Sequence, residues 1–215
     1  MNALQNKQRW LGFTVLLAAL SCGIAQAEAE GSAPEQFQRS YDSEAAGKVP
    51  DALAALDALP SPQKEGYVAQ LRRGWLLYQL GKHAEAVDAY GRAIAREPRS
   101  VEARVGVLLP AMALRRWADV EAQAREVVKL DPGNYLGNLR LAFATYNLGR
   151  YAESAASYRQ LVTAYPSDVE VRSGLGWALL KAGKAADAAA EFRTVLEVAP
   201  KNTLALEGLK ATGAR

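Results

Sequence analysis

Cysteine and histidine are nearly missing from this chain of 215 residues, which holds one of each. Cys22 falls in an N-terminal stretch with the marks of a removable leader, so the mature chain is expected to carry no thiol. That excludes disulfides and thiolate metal sites. His83 is the sole imidazole, so a histidine-rich zinc site is excluded and a Ser-His-Asp triad has only one residue to draw on. His83 is expected to pack beside a turn between helices. No catalytic residue, cofactor or metal is expected, and the chain is not expected to be an enzyme.

A long hydrophobic run is also lacking. The apolar stretch 10–20 is well short of the roughly 20 residues that span a bilayer. Lys7 and Arg9 precede it and Ala25-Gln26-Ala27 follows it, the pattern of a secretory signal peptide over residues 1–27. Cleavage after Ala27 sends a bacterial protein to the periplasm. Membrane association is expected only if the signal is retained or Cys22 is lipidated, and Leu20 sits one place too close to Cys22 for a good lipobox.

An excess of one charge is lacking as well. Removing Lys7 and Arg9 from the 26 basic residues leaves 24 against 23 acidic ones, a net charge of +1. The signs are interspersed, as on a solvated helix surface, and no basic stripe is available for nucleic acid. Near-matches to known motifs fail on spacing. Gly176 and Gly183 stand too far apart for a phosphate loop, and Asp131-Pro132-Gly133-Asn134 suits a turn better than a calcium loop.

What the chain does have is a repeated pair of amphipathic segments. In Tyr67–Ser100, Val68, Leu71, Trp75 and Tyr78 recur at helical spacing, and Ala86, Val87, Tyr90, Ala93 and Ile94 do so again. Gly81 suits the left-handed end of the first helix, and Pro98 stops the second. After a short lead (28–32), the unit recurs every 34 residues over 33–66, 67–100, 101–134, 135–168 and 169–202. The eighth position holds Gly74, Ala142 and Gly176; the fifteenth holds Gly47, Gly81, Gly149 and Gly183. Ala52, Ala86 and Ala188 share the twentieth, while Leu56, Tyr90, Tyr158 and Phe192 share the twenty-fourth. Pro98, Pro132, Pro166 and Pro200 share the thirty-second. Such a period marks a solenoid, in which each hairpin buries its faces on the next.

This pattern resembles the tetratricopeptide repeat (TPR) family. The resemblance implies an all-α, right-handed superhelix of about five helix-turn-helix repeats, with first helices lining a concave groove. The first repeat is degenerate: Pro60 and Pro62 should shorten its second helix to end near Leu59. Pro110 should bend the first helix of the third repeat. Residues 203–215 are expected to supply a C-terminal capping helix and tail.

Positions 2, 5, 9 and 12 are the ones the resemblance assigns to the groove. The candidate partner-binding residues there are Tyr41, Leu71, Trp75, Tyr78, Leu109, Met112, Leu139, Phe143, Tyr146 and Trp177. Lys181 is added because some relatives clamp a peptide carboxylate with Lys and Asn, and Asn147 shares its register position. A large apolar face exceeds what hairpin packing requires, and aromatic residues dominate binding hot spots. The expected function is therefore a non-enzymatic envelope scaffold that grips an apolar or amphipathic peptide or helix. A polysaccharide-binding role in envelope export or assembly, through rings stacked on sugars, and self-assembly into homo-oligomers are the alternatives.

Overall fold

The computed structural model describes residues 31–213, all of them in helices and short connections. The signal-peptide and Cys22 expectations fall outside the described residues. Twelve helices are described: α1 (Ala33–Ala45), α2 (Val49–Asp57), α3 (Ser61–Lys64), α4 (Tyr67–Gln79), α5 (His83–Arg96) and α6 (Val101–Ala113). They continue as α7 (Trp117–Leu130), α8 (Tyr135–Asn147), α9 (Tyr151–Ala164), α10 (Val169–Lys181), α11 (Ala185–Val198) and α12 (Thr203–Ala211). None is long and apolar enough to cross a membrane. The described residues form two compact units, 31–69 and 70–213, with the boundary inside α4.

In the first unit, α1 packs on α2 across a turn in which Gly47 adopts φ 73°. Its buried apolar residues are Ala52, Ala55, Leu56, Leu59 and Ala69. The second helix is short, as Pro60 and Pro62 dictate, and ends at Asp57. The same prolines then start a one-turn helix, α3, which periodicity did not foresee: Pro60 stands at its N-cap and Pro62 within its first turn.

The second unit is built from helix pairs in strict register. Its first helices open at residues 101, 135, 169 and 203, each preceded by a side chain that caps it. Ser100, Asn134, Asp168 and Asn202 accept hydrogen bonds from the amides of Ala103, Gly137, Val171 and Ala205 at 2.9–3.1 Å. Each satisfies an amide that the helix start leaves without a partner, and Asp168 also accepts from the Glu170 amide at 2.9 Å. Gly81, Gly149 and Gly183 turn the chain between paired helices at φ 72–81°, and Arg115 takes the same turn at φ 55° without being glycine. Pro110 is buried in the last turn of α6, which continues to Ala113.

Packing between repeats turns on a ring and two small residues. The Tyr90 ring faces Gly74 of its own repeat and Gly106 of the next; a Cβ at either glycine would lie 2.7 or 2.4 Å from ring carbons. Phe192 sits the same way between Gly176 and Gly208, at 2.5 and 2.2 Å, and Gly174 meets Tyr158 at 2.5 Å. At these five glycines an added methyl would strike the ring, because protein interiors have no slack for it. Where the ring is absent the rule relaxes. Ala124 occupies the ring position of the third repeat, Leu108 fills the space at 1% exposure, and Arg140 replaces the glycine of the next helix.

A second tie joins consecutive repeats at the proline. Arg104 and Arg172 donate to the carbonyls of Pro98 and Pro166 at 2.8 and 3.1 Å, and Asn138 donates to that of Pro132 at 3.0 Å. The proline thus ends one helix and offers its carbonyl to the next. Among the described residues the last helix is α12, a first helix by its register. Asn202 caps it and Gly208 receives the Phe192 ring, but Lys210 stands at the eighth position, which holds Gly74, Ala142 and Gly176 in three earlier repeats.

Candidate ligand-binding face

The first helices carry the residues expected to meet a partner, and their burial divides them. Within the second unit, Trp75 is 42% and Leu109 37% exposed, while Leu71, Tyr78, Met112, Phe143, Tyr146 and Trp177 are half-buried. Tyr41, in the first unit, is 50% exposed. Leu139 must be reassigned: at 2% exposure it belongs to the core formed with Ala142, Tyr158 and Leu175. Both flanks of α8 are apolar, so helical spacing alone does not separate its core side from its open side.

Several half-buried members have a packing role besides. Phe143 sets its ring edge-on to Trp117, with centroids 5.6 Å apart, and Tyr146 does so with Tyr151 at 5.3 Å. Trp177 packs against Phe192 at 5.7 Å, and its indole N–H donates to the Leu204 carbonyl at 3.2 Å. Met112 leans on the core formed by Leu108, Ala111 and Val120. His83 lies beside its interhelix turn against Tyr78, with ring centroids 5.6 Å apart.

These rings surround a pocket of about 380 Å³ lined by Phe143, Tyr146, Tyr158, Gly174, Trp177 and Leu204, with Glu170 at its edge. That volume is at the low end of ligand pockets, which run from roughly 300 to 1,000 Å³. Helices α8, α9, α10 and α12 each contribute a wall. Gly174 keeps the floor open, since any side chain there would strike the Tyr158 ring. A larger recess of about 540 Å³ lies in the first unit, bounded by residues such as Glu35, Arg39 and Asp57. It is polar, contains none of the aromatic residues, and opens beside Gly31, the first described residue, so the aromatic pocket is the better candidate.

The pocket's charge is simple. Burial, and then the neighbouring Glu170 carboxylate, push the Tyr158 hydroxyl well above its ordinary pKa. Burial, with Tyr151 second, raises Tyr146. Both remain neutral at physiological pH, so Glu170 is the only charged group in the lining. Arg140 approaches it at 3.7 Å, yet 62% of the Glu170 side chain stays exposed.

The carboxylate clamp suggested by Lys181 is not assembled. Asn147 donates to the Phe143 carbonyl at 2.8 Å, Arg140 is directed to Glu170, and Lys181 is exposed at the end of α10. Among the described residues, no group of three or more His, Cys, Asp or Glu side chains is placed to hold a metal. Sequence reasoning missed Tyr158, Glu170, Gly174 and Leu204 as lining residues. The signal was present: glycine at the sixth position of a first helix accompanies a ring at the twenty-fourth position of the preceding repeat.

Solved structures share this architecture. YrrB, described as a TPR protein with an unusual peptide-binding site, matches at TM-score 0.76 and 14% identity, over 88% of this chain and 97% of its own. MamA (residues 41 to the end) from Desulfovibrio magneticus RS-1 matches at TM-score 0.74 and 17% identity, over 80% and 97%. A thermophilic TPR protein of Thermus thermophilus matches at 0.57 and 20%, over 84% and 98%. At these identities the likeness concerns the fold alone: an all-α array of helices packed in pairs. No curated protein matches the sequence. Tetratricopeptide-repeat family models match residues 37–98, 71–135, 109–169 and 146–212, well over half the chain, which therefore belongs to the tetratricopeptide repeat family.

Proposed function

We propose that the protein is an envelope scaffold that holds a peptide or helix of a partner protein against its first-helix face. The family consists typically of non-enzymatic scaffolds for protein interactions. The observation that carries the specific reading is solvent-open aromatic and apolar surface at one register position of the second unit, with Trp75 and Leu109 at 42 and 37% exposure. Rings left open at this cost in hydration suit a surface that is covered on binding. The peptide-binding description of the similarly folded YrrB is consistent with it. An envelope location rests on the leader-like residues 1–27; N-terminal sequencing of the exported protein should give Glu28 first.

The test replaces Trp75 and Leu109, both exposed enough to change without emptying the core, by glutamine. A partner peptide selected on the native protein should lose at least about 30-fold in affinity, the scale of one hot spot, while helicity is kept. Unchanged affinity in the folded variant contradicts the reading. The exposed Trp75 ring also favours sugar stacking, and binding to a carbohydrate array with no peptide retained would transfer the site to a polysaccharide.

A further inference from the structure

The aromatic pocket has a chemistry that a peptide held at Trp75 and Leu109 does not use, since neither residue lines it. Its volume of about 380 Å³ suits a small ligand rather than a chain segment. Four rings line it, those of Phe143, Tyr146, Tyr158 and Trp177, together with one ionised group, Glu170. All of these residues lie in the second unit.

The rings are set before any ligand arrives. Phe143, Tyr146 and Trp177 are each held edge-on by a ring outside the lining, those of Trp117, Tyr151 and Phe192, at centroid distances of 5.6, 5.3 and 5.7 Å. Tyr158 is fixed in the core at 4% exposure, and Gly174 leaves it uncovered, because a Cβ there would lie 2.5 Å from the ring. Trp177 has its one donor engaged by the Leu204 carbonyl, so what it offers a ligand is π surface. A wall fixed in this way loses little conformational freedom on binding.

Aromatic faces attract cations, and Glu170 adds to that attraction while repelling anions. Cations differ in what they ask of the site. A primary ammonium brings three N–H donors and a guanidinium five, and a buried donor needs an acceptor. The side chains of the lining answer with one carboxylate and two phenol oxygens. A quaternary ammonium has no N–H, and its charge is spread over methyl groups that pack on rings as apolar groups do. It needs Glu170 nearby but takes no hydrogen bond from it. The 3.7 Å contact between Arg140 and one Glu170 oxygen can therefore stay in place, with 62% of the Glu170 side chain open. A neutral apolar ligand would instead cover the edge of the carboxylate and return nothing for its lost hydration.

We propose that this pocket binds a small quaternary ammonium compound, its N-methyl groups against Phe143, Tyr146, Tyr158 and Trp177 and its charge beside Glu170. The scaffold then has a small-molecule site of its own, on the same first-helix face as Trp75 and Leu109 but not dependent on them.

The experiment uses the full chain and choline as the probe, at constant ionic strength. Binding is read by saturation transfer from the protein to the N-methyl protons. Two analogues compete: ethanolamine, with a primary ammonium, and the neutral alcohol in which carbon replaces the choline nitrogen. Choline should bind saturably with a Kd of about 1 mM or tighter. Each analogue should bind at least roughly tenfold more weakly. Glu170→Gln should weaken choline by roughly fivefold and leave the neutral alcohol unchanged. Trp177→Leu should remove the preference for choline over the neutral alcohol; should that variant not fold, the analogue series on the parent chain and Glu170→Gln still decide. Glu197→Gln, which removes the same charge from an exposed part of α11, should bind choline like the parent. The proposal is overturned by no saturable choline binding below about 100 mM. It is overturned equally by either analogue binding as tightly as choline, or by Glu170→Gln binding choline as the parent does. Each of these failures leaves the peptide reading standing, because that reading is tested at Trp75 and Leu109.

Discussion

Adding one methyl group should have opposite effects at two glycines. At Gly174 the new Cβ would lie 2.5 and 2.6 Å from Tyr158 Cε1 and Cζ, far inside ordinary van der Waals contact. Tyr158 is 4% exposed and hemmed in by the core, so the ring has little room to retreat. Overpacking of this kind costs about 1–3 kcal/mol, against an intrinsic helix gain for Ala of roughly 0.5–1 kcal/mol. The net expectation for Gly174→Ala is a loss of about 1–2 kcal/mol, after combining those two terms. At Gly91, inside α5, an added Cβ meets nothing within 4 Å. Gly91→Ala should therefore gain roughly 0.5–1 kcal/mol. Urea unfolding followed by circular dichroism reads both; midpoints are the quantity to compare, since repeat arrays need not unfold in two states. Tyr158→Leu should shrink the penalty of Gly174→Ala, giving a coupling of about 0.5–3 kcal/mol in a double-mutant cycle. A neutral Gly174→Ala, or the same sign at both glycines, refutes the packing of the Tyr158 ring on Gly174.

Other consequences are open to measurement. Arg115 holds a left-handed turn that four sibling repeats give to glycine, so Arg115→Gly should raise stability by about 1 kcal/mol, and Gly149→Ala should lower it by a similar amount. Asn202→Ala removes the cap of α12 and should cost about 1 kcal/mol, seen as earlier hydrogen exchange in that helix. Glu121 is bound by Arg150 and, at 2.7 Å, by Arg125, which also reaches Glu153 at 2.6 Å. The Arg150 hydrogen bond, followed by that of Arg125, holds the Glu121 carboxyl below the usual carboxylate range. A depressed folded-state pKa means stability present above the unfolded pKa and lost as pH falls through the folded one. The difference in unfolding midpoint between the parent and Glu121→Gln should thus be largest near neutrality and close at acid pH; a difference unchanged by pH would remove the network from the account.

The sequence made the array legible because glycine, alanine and proline recur at a fixed step for reasons of backbone geometry. It placed the shortened α2 and the terminal α12 for the same reasons. Side-chain placement within a helix was less legible. Leu139 occupies a groove register yet is core, since α8 is apolar on both sides and periodicity does not say which side a neighbour covers. The one-turn α3 escaped notice because prolines that stop one helix also start another. The pocket was hidden behind the 34-residue step: Gly106 and Gly174 stand in a column where Arg72 and Arg140 alternate with them, so the column looked irregular until the ring each glycine faces was known.

Photo-crosslinking tests the central claim most directly. A library-selected peptide carrying a photoreactive residue is bound to the native protein, illuminated, and the attachment sites are mapped by mass spectrometry. Attachment to α4, α6, α8 and α10, around Trp75, Leu109, Phe143 and Trp177, is the predicted result. Attachment confined to the second helices α5, α7, α9 and α11 would contradict it.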